Sequence, residues 1–236
     1  MSFWVIVPAA GSSRRMRDAA IPKQYLQLLG RSVIEWALAP FLARSECAGI
    51  VVVLAAQDAH WRTLEVSRNA RIGTVTGGDQ RADSVQAGLS ALQGRAGDDD
   101  WVLVHDAARP CLRAAELAAL LNQLRADAVG GLLAAPVVET LKRSDGVDRV
   151  AQTVDRTGLW RALTPQMFRY ATLVRALASA AERGIGVTDE AQAIELLGLH
   201  PRLVPGSVDN IKITVPEDLA RVERILAAAV GAGDKS

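Results

Sequence analysis

The stretch FWVIVPAAGSSRRM, residues 3–16, decides the fold. It opens with the apolar run Phe3–Val7, which is typical of a strand buried on both faces. Small residues follow at positions 9–13, and arginines come next. A loop of small residues directly after a strand lets backbone N–H groups approach an anion closely. The stretch therefore predicts a sheet that begins at the N-terminus and carries a phosphate-binding loop after its first strand.

Strand-like and helix-like patterns alternate along the rest of the chain. Further strands are predicted at Gly49–Leu54, Trp101–His105 and Gly130–Ala135. Amphipathic helical spacing covers residues 34–41, 117–124 and 222–229. Such alternation indicates parallel strands with right-handed crossovers, so the fold class is α/β, with an open, mostly parallel twisted sheet and helices on both faces. Ligands bind such sheets at the carboxyl ends of the strands.

Two helix starts carry a capping box, Ser32 with Glu35 and Thr214 with Glu217. Between the last predicted strand and the C-terminal third, Glu139–Thr157 is polar and lacks helical periodicity. A structureless loop of that length is unusual in a compact domain, so we expect a projecting β-arm over residues 137–158, although a plain surface loop is the simpler alternative. Residues 1–236 are otherwise expected to form a single domain.

Composition excludes several classes of protein. The 236 residues carry a net charge of only +1, which gives no long-range field for nucleic acid or an anionic membrane. No segment approaches the ~20 apolar residues of a membrane span. Cys47 and Cys111 are too far apart for a metal-spaced cluster, and the N-terminus shows charge after its apolar run rather than before it. We expect a cytoplasmic protein that binds neither nucleic acid nor membrane.

Positive charge is concentrated after the first strand. Residues 14–23 include four basic side chains and one acid. The spacing is neither that of a P-loop ATPase nor the glycine fingerprint of an NAD-linked dehydrogenase. On these residues alone, a solvated arginine-rich turn remains an alternative to an anion site.

Eight segments, taken in order, resemble the 2-C-methyl-D-erythritol 4-phosphate cytidylyltransferase family, over about residues 3–226. They are PAAGSSRRM (8–16), PKQY (22–25), GGDQRADSV (77–85), VHDAARP (104–110), DRTGLW (155–160), LTPQ (163–166), TDE (188–190) and DNIKIT (209–214). The resemblance implies transfer of CMP from CTP to a sugar-alcohol phosphate, with release of pyrophosphate, in isoprenoid-precursor synthesis. It also implies Mg²⁺ or another divalent cation bound mainly through the nucleotide phosphates.

The resemblance assigns catalytic roles to four cations. Arg15 and Lys23 match positions that stabilise the transition state, and Arg156 and Lys212 match positions that orient the attacking phosphate. A phosphoryl transfer of this kind needs positioning and preorganised positive charge more than a protein nucleophile. The four cations therefore suit the implied chemistry.

Further residues match binding positions of the family. The implied CTP-binding residues are Ala9, Ala10, Gly11, Ser12, Ser13, Gly78, Asp79 and Ser84. The implied substrate-binding residues are Asp106, Arg109, Thr140, Thr164 and Thr188, with Asp106 also a possible metal ligand. Simpler structural roles stay open: the glycine turn could cap the helix near Ser84, Asp106 could form a turn, Thr164 could precede a proline-bounded turn, and Thr188 could cap a helix near Asp189.

In the family the arm crosses to a neighbouring subunit, so the resemblance implies a homodimer in which Thr140 and Arg156 complete the partner's site. Three other functions remain as alternatives. The first is a cytidylyltransferase of the same fold that acts on ribitol 5-phosphate, the second is a catalytically inactive nucleotide-binding module, and the third is an NAD-linked oxidoreductase. The acceptor-side pair Arg156 and Lys212 disfavours a mere binder, and the missing glycine fingerprint disfavours the oxidoreductase.

Overall fold

The computed structural model describes residues 2–11 and 21–233. The strands are β1 (Phe3–Pro8), β2 (Gln27–Leu28), β3 (Arg31–Ser32), β4 (Cys47–Leu54), β5 (Ile72–Thr76), β6 (Trp101–Val104), β7 (Gly130–Pro136), β8 (Leu141–Ser144), β9 (Val150–Val154), β10 (Trp160–Arg169) and β11 (Arg202–Pro205). The helices are α1 (Val33–Leu42), α2 (Arg81–Ser90), α3 (Ala114–Leu124), α4 (Tyr170–Glu182), α5 (Glu190–Glu195) and α6 (Glu217–Gly233). No helix in this part of the chain is both apolar and long enough to cross a membrane.

Seven strands form the central sheet in the order β11-β7-β10-β6-β1-β4-β5. Neighbours pair in parallel except at β10, which is antiparallel to both β6 and β7. The predicted open, mostly parallel sheet is confirmed. The four predicted strands correspond to β1, β4, β6 and β7, with ends that differ by two residues or fewer.

Side chains of each central strand are buried on both faces of the sheet. On one face, Val5 and Val52 belong to a core that α1 and α3 cover. On the other face, Ile6 and Val53 pack in a second core with α2, α4 and α5. This two-sided burial explains why the strands read as continuous apolar runs rather than as alternating patterns.

The C-terminal helix α6 packs in a smaller third cluster, where Val222 and Leu226 meet Val33 of α1 and Ile213. The capping box predicted at the start of α6, Thr214 with Glu217, is wrong in the identity of its acidic residue. Asp218, not Glu217, accepts hydrogen bonds from the backbone N–H groups of Thr214 and Val215, at 2.7 and 3.1 Å. The box between Ser32 and Glu35 at the start of α1 is confirmed.

Strand β10 is absent from the sequence-based prediction, although it lies inside the sheet, between β7 and β6. It contains Pro165, which has no N–H for a ladder, and the pairing with β7 shifts register between Ala162 and Gln166. Because proline is rare inside a sheet, the sequence around Pro165 does not indicate a strand. The sheet accommodates Pro165 through the register shift.

The polar segment between β7 and β10 contains a hairpin in which β8 pairs with β9 in antiparallel register. Within the described residues, these two strands form a sheet of their own, apart from the central sheet. Val138, Val147 and Val150 on this segment are each more than 60% exposed. An arm is therefore present. Its role in dimerisation stays a prediction.

Candidate active site

A cavity of about 660 Å³ opens at the carboxyl ends of the central strands. Its walls come from the loops after β1, β5 and β6 and from the segment before α6. They include Ala9, Ala10, Gly11, Lys23, Gln24, Gly77, Gly78, Asp79, Arg81, Ser84, Asp106 and Lys212. All predicted CTP-binding residues within the described chain therefore lie around one cavity. Ser12, Ser13 and Arg15 fall outside the described residues.

Gln24 anchors the loop after β1. Its side-chain amide donates to the carbonyl of Ala9 at 2.7 Å, while the N–H of Ala9 bonds the Val53 carbonyl of β4. The adjacent Tyr25 donates to the carboxylate of Asp58 at 2.6 Å. Lys23 is the first residue of the short 3₁₀ turn that these two bonds hold, so its position at the cavity follows from its neighbours.

The glycine loop after β5 approaches the cavity closely. A Cβ at Gly77 would lie 2.6 Å from Ser84 Oγ and 2.9 Å from Ala10 Cβ, so only glycine fits between the two candidate nucleotide-binding segments. Gln80 is the N-cap of α2, and its N–H bonds the Asp83 carboxylate at 3.0 Å. The loop therefore caps a helix and lines the cavity at the same time, as both sequence interpretations required.

Asp106 follows β6 and lies among three cations. Its carboxylate oxygens are 3.1 Å from Arg81 Nε, 3.3 Å from Arg109 Nε and 3.0 Å from Lys212 Nζ. Burial alone would raise the pKa of this carboxyl, but the charges of Arg81, Lys212 and Arg109 hold the pKa well below its usual range. Asp106 is a permanent anion that fixes three positive groups around one point.

A second cavity of about 140 Å³ lies on the other side of this cluster. It is lined by Arg81, Asp106, Arg109, Ala162, Leu163, Thr164, Gln166, Thr188, Asp189 and Lys212. Four of the predicted substrate-binding residues thus line the second cavity, namely Asp106, Arg109, Thr164 and Thr188. Arg81, Asp106 and Lys212 line both cavities and form the wall between them.

Thr164 faces the protein interior rather than open solvent, at 3% exposure. Its hydroxyl lies 3.1 Å from the N–H of Asp106 and 2.9 Å from Nδ1 of His105. Nε2 of His105 lies 3.1 Å from the carbonyl of Arg109 and must carry the ring proton, because a carbonyl only accepts. In the neutral ring Nδ1 therefore accepts from the Thr164 hydroxyl, and that hydroxyl accepts from Asp106.

Burial lowers the pKa of His105 from 6.5 to about 4. The ring is therefore neutral near pH 7, as the hydrogen-bond directions require. The side chain is fully buried, at 0% exposure, which fits a structural role. Through Thr164, the histidine fixes the backbone of Asp106.

Lys23 and Lys212 come from opposite ends of the chain and line the same cavity. The ammonium of Lys23 donates to the carbonyl of Ile213 at 2.7 Å. Two of the four predicted catalytic cations are thus brought together within one subunit.

Thr140 and Arg156 line neither cavity among the described residues. Arg156 instead donates to the carbonyl of Val138 at 2.6 Å, at the base of the arm. A site within one subunit therefore contains Lys23 and Lys212 without these two residues. Both remain predicted as contributions to a partner's site.

Arg81 and Glu190 also belong to this site, although no sequence pattern assigned them to it. Arg81 donates to both oxygens of Glu190, at 2.6 and 3.0 Å, and Glu190 is 1% exposed. Burial raises the pKa of Glu190, whereas the contact with Arg81 opposes that rise. Both residues lie inside quoted motifs, but an ion pair between positions so far apart has no spacing signal in one sequence.

Thr188 does not cap α5, so that alternative is wrong. Asp189 is the N-cap and accepts from the N–H of Gln192 at 2.9 Å. Gln166 of β10 ties this turn to the sheet by donating to Asp189 at 2.9 Å and accepting from the N–H of Ala191 at 2.8 Å. Thr188 is thereby held at the mouth of the second cavity.

Within the described residues, no group of three or more His, Cys, Asp or Glu side chains could hold a metal ion. Among the described residues, Asp106 is the carboxylate that lines both cavities, and cations already contact both of its oxygens. This donor set fits a hard cation held chiefly by substrate oxygens, with at most one protein carboxylate. It does not fit an all-protein metal cage.

Comparison with known proteins agrees with this geometry. The family model for 2-C-methyl-D-erythritol 4-phosphate cytidylyltransferase (IspD) matches residues 3–228. The chain belongs to this cytidylyltransferase family.

Curated members of the cytidylyltransferase family are similar along almost their whole length. The protein of that name from Ectopseudomonas mendocina is 55% identical over 219 residues, which are 92% of this chain and 93% of the relative. The one from Pseudomonas aeruginosa strain UCBPP-PA14 is 51% identical over 224 residues, 94% of this chain and 95% of the relative.

Solved structures of the cytidylyltransferase family have the same fold. A crystal structure of 4-diphosphocytidyl-2C-methyl-D-erythritol synthase superposes with a TM-score of 0.83 at 36% identity, covering 95% of this chain and 98% of its own. The cytidylyltransferase from Francisella tularensis gives a TM-score of 0.82 at 32% identity, covering 95% and 100%. The predicted fold and family are confirmed.

Proposed function

We propose that the protein transfers CMP from CTP to 2-C-methyl-D-erythritol 4-phosphate, giving 4-diphosphocytidyl-2-C-methyl-D-erythritol and pyrophosphate for isoprenoid-precursor synthesis. The observation that carries this proposal is the pair of cavities that share a wall of Arg81, Asp106 and Lys212. A reaction between a nucleotide and a second anionic substrate needs two adjoining sites and a cation where they meet. Lys212 lies at that junction.

The larger cavity takes CTP. We assign phosphate binding through backbone N–H groups to Ala9, Ala10, Gly11, Ser12 and Ser13. Gly78, Asp79 and Ser84 bind the cytosine. The close packing of Gly77 against Ser84 and Ala10 sets the distance between the base segment and the phosphate loop.

The smaller cavity takes the acceptor. Asp106 accepts from its hydroxyl groups, and Arg109, Thr164 and Thr188 complete the walls. Thr164 acts largely through Asp106, because its hydroxyl is bonded to the backbone of that residue and to His105. The acceptor is therefore held by side chains whose own positions are fixed.

An acceptor phosphate oxygen attacks the α-phosphorus of CTP in line, and pyrophosphate leaves with the bonding electrons. Negative charge on the equatorial oxygens rises in the transition state. Lys23 and Arg15 stabilise that charge, and Lys212 with Arg156 orients the attacking phosphate. Catalysis rests on positioning and electrostatics, so no protein nucleophile takes part.

Mg²⁺ or another divalent cation, when bound, neutralises and orients the nucleotide phosphates. Asp106 would be the one protein carboxylate to hold the cation, and the nucleotide phosphates would be its main ligands. Thermal melts of the protein with CTP, with and without Mg²⁺, test this assignment without depending on turnover.

Pyrophosphate release tests the reaction. The wild-type protein is incubated with CTP, Mg²⁺ and the methylerythritol phosphate, and ribitol 5-phosphate replaces the acceptor in a parallel reaction. We expect release with the first acceptor well above that with the second. CTP binding in calorimetry without any release would favour an inactive nucleotide-binding module.

We further propose a homodimer assembled through the arm, residues 137–158, within a single domain of residues 1–236. The exposed valines of the arm and the absence of Thr140 and Arg156 from both described cavities support it. In the dimer these two residues reach the partner's acceptor site. Arm-deleted protein should run as a monomer in light scattering.

Subunit mixing tests the shared site directly. Consider a heterodimer in which one subunit carries Lys23→Ala and the other carries Arg156→Ala. Because each site would take Lys23 from one subunit and Arg156 from the other, one site loses both cations and the other site keeps both. Mixing the two inactive variants, with subunit exchange, should therefore restore up to about a quarter of wild-type activity. If both residues served the same subunit's site, mixing would restore nothing.

We propose a cytoplasmic location and no nucleic-acid partner. Cys47 and Cys111 are both buried and free, which suits a reducing compartment. Burial raises the pKa of the Cys111 thiol to about 12, so it is a poor nucleophile. Cell fractionation and a filter-binding assay with RNA check the two statements.

A further inference from the structure

Glu190 is a buried carboxylate that the proposed reaction does not use. It is the first residue of α5, and its side chain is 1% exposed. Both of its oxygens accept from Arg81, at 2.6 Å from Nη1 and 3.0 Å from Nη2. This is the forked geometry in which a guanidinium binds a carboxylate most specifically.

Arg81 is held at its third nitrogen as well. Nε donates to Oδ1 of Asp106 at 3.1 Å, so each nitrogen of the guanidinium bonds a carboxylate. Arg81 also begins α2, directly after the glycine loop of the larger cavity. The contacts therefore run from α5, beside the smaller cavity, through Arg81 to the wall between the two cavities.

The fork of Arg81 would otherwise be available to phosphate. An arginine with free terminal nitrogens binds phosphate oxygens in a bidentate manner. Glu190 accepts from both terminal nitrogens, so this fork of Arg81 is already occupied by a carboxylate, although Arg81 lines both cavities. The side chain of Lys212 is 36% exposed and lines both cavities, and its Nζ lies 3.0 Å from Asp106.

We propose that Glu190 is a positioning residue: it holds Arg81 so that Asp106 keeps one orientation in the wall between the cavities. The inference rests on the proposed acceptor-site role of Asp106. A purely stabilising role is a weaker account, because a buried ion pair seldom stabilises a fold more than apolar residues of the same volume. The hydrogen bond from Arg81 to Asp106 instead connects the Arg81–Glu190 ion pair to a residue of the proposed acceptor site.

The test is the Glu190→Gln variant, which keeps the shape and removes the charge. We expect the acceptor KM to rise and kcat to fall by about tenfold each, as for residues that orient a site's ligands in metalloenzymes. The Kd for CTP alone, from calorimetry, should change less than threefold, because the glycine loop and Ser84 keep their packing. Glu195→Gln, at the exposed end of the same helix, is the matched control and should behave as wild type.

Arg81→Lys provides the second arm, since it keeps the charge but loses the fork. If Glu190 acts through Arg81, the variant that carries both Glu190→Gln and Arg81→Lys should have an acceptor KM close to that of either single variant. Independent effects would instead multiply the two fold-changes in KM. Circular dichroism and thermal melts confirm that each variant is folded.

A lower melting temperature with the acceptor KM within twofold of wild type would make Glu190 structural and overturn the inference. Additive effects in the double variant would also overturn it. Wild-type pyrophosphate release is measured separately, so failure of the proposed reaction and failure of this inference are distinguishable.

Discussion

Lys23 donates a 2.7 Å hydrogen bond to the backbone carbonyl of Ile213, the residue after Lys212. One bond thus joins the segment that follows the first strand to the segment that precedes the last helix. Both lysines line the larger cavity. Two cations that are nearly 190 positions apart in the sequence thus line one cavity.

Lys23→Ala should reduce kcat by about 10²- to 10³-fold, because a preorganised cation at the reacting phosphate is lost. Folding should be little affected, since Gln24 and Tyr25 still anchor the turn. Arg15→Ala should show the same loss of turnover. Initial rates of pyrophosphate release measure the effect, with the exposed Arg175→Ala as control. A Lys23→Ala protein that is unfolded by thermal melt would make the residue structural.

Gly77→Ala should weaken CTP binding, because the new Cβ would lie 2.6 Å from Ser84 Oγ and 2.9 Å from both Ala10 Cβ and a Val53 methyl. The loop must shift by several tenths of an ångström, which separates the base and phosphate segments. We expect the KM for CTP to rise about tenfold or more, a loss of about 1.4 kcal/mol of binding. Gly97→Ala, whose Cβ meets nothing closer than 3.9 Å, is the control. Equal CTP KM values for the two variants would contradict this account.

His105 should make the fold lose stability from about pH 6.5 downward, before most carboxylates begin to titrate. Its pKa is about 4 in the folded protein and 6.5 as a free group, so the unfolded chain binds the proton first as pH falls. Stability is therefore lost between about pH 6.5 and 4, by up to about 3 kcal/mol. Urea unfolding across this range should show a smaller decline for His105→Gln than for wild type. Parallel curves would count against a buried neutral ring.

Asp106→Asn should destabilise the fold at pH 7 by about 3 kcal/mol, because the three cations lose their shared anion. The low pKa of Asp106 means that its contribution is present above the pKa of the unfolded chain and is lost as pH falls below it. The variant should therefore lose less stability than wild type in strong acid. Its kcat/KM should fall by about 10- to 100-fold. Exposed Asp98→Asn serves as the control, and equal acid sensitivity of the two variants would refute the pairing.

Much of the architecture could be predicted from local patterns. The apolar runs at β1, β4, β6 and β7 and the helical spacing of α1 and α3 are strong because burial imposes them directly. The edge strand β5, with intermediate or exposed side chains, gives no such signal. Strand β10 was missed for a different reason, since Pro165 argues against a central strand in any single-sequence interpretation.

The site was predictable to the extent that it is built from contiguous motifs. Gly78, Asp79, Asp106 and Lys212 each lie in a segment with a recognisable pattern, and the structure brings them to one place. The Arg81–Glu190 pair was out of reach because its chemistry exists only after α2 and α5 have packed beside the same sheet. The directions of the His105 and Thr164 hydrogen bonds likewise depend on atomic positions rather than on residue types.

The reversed direction of β10 gives the arm its place in the molecule. Strand β7 ends at the catalytic rim, and β10, running the other way, starts from that same rim, so the chain leaves and re-enters the body at the mouth of the site. If β10 were parallel to β7, the chain after the hairpin would have to return to the opposite edge of the sheet, away from the two cavities. The β8–β9 hairpin is therefore attached to the body at the edge of the sheet where the two cavities open. Changes in the length or tip of the hairpin would therefore alter the surface beside the two cavities and leave the central sheet unchanged.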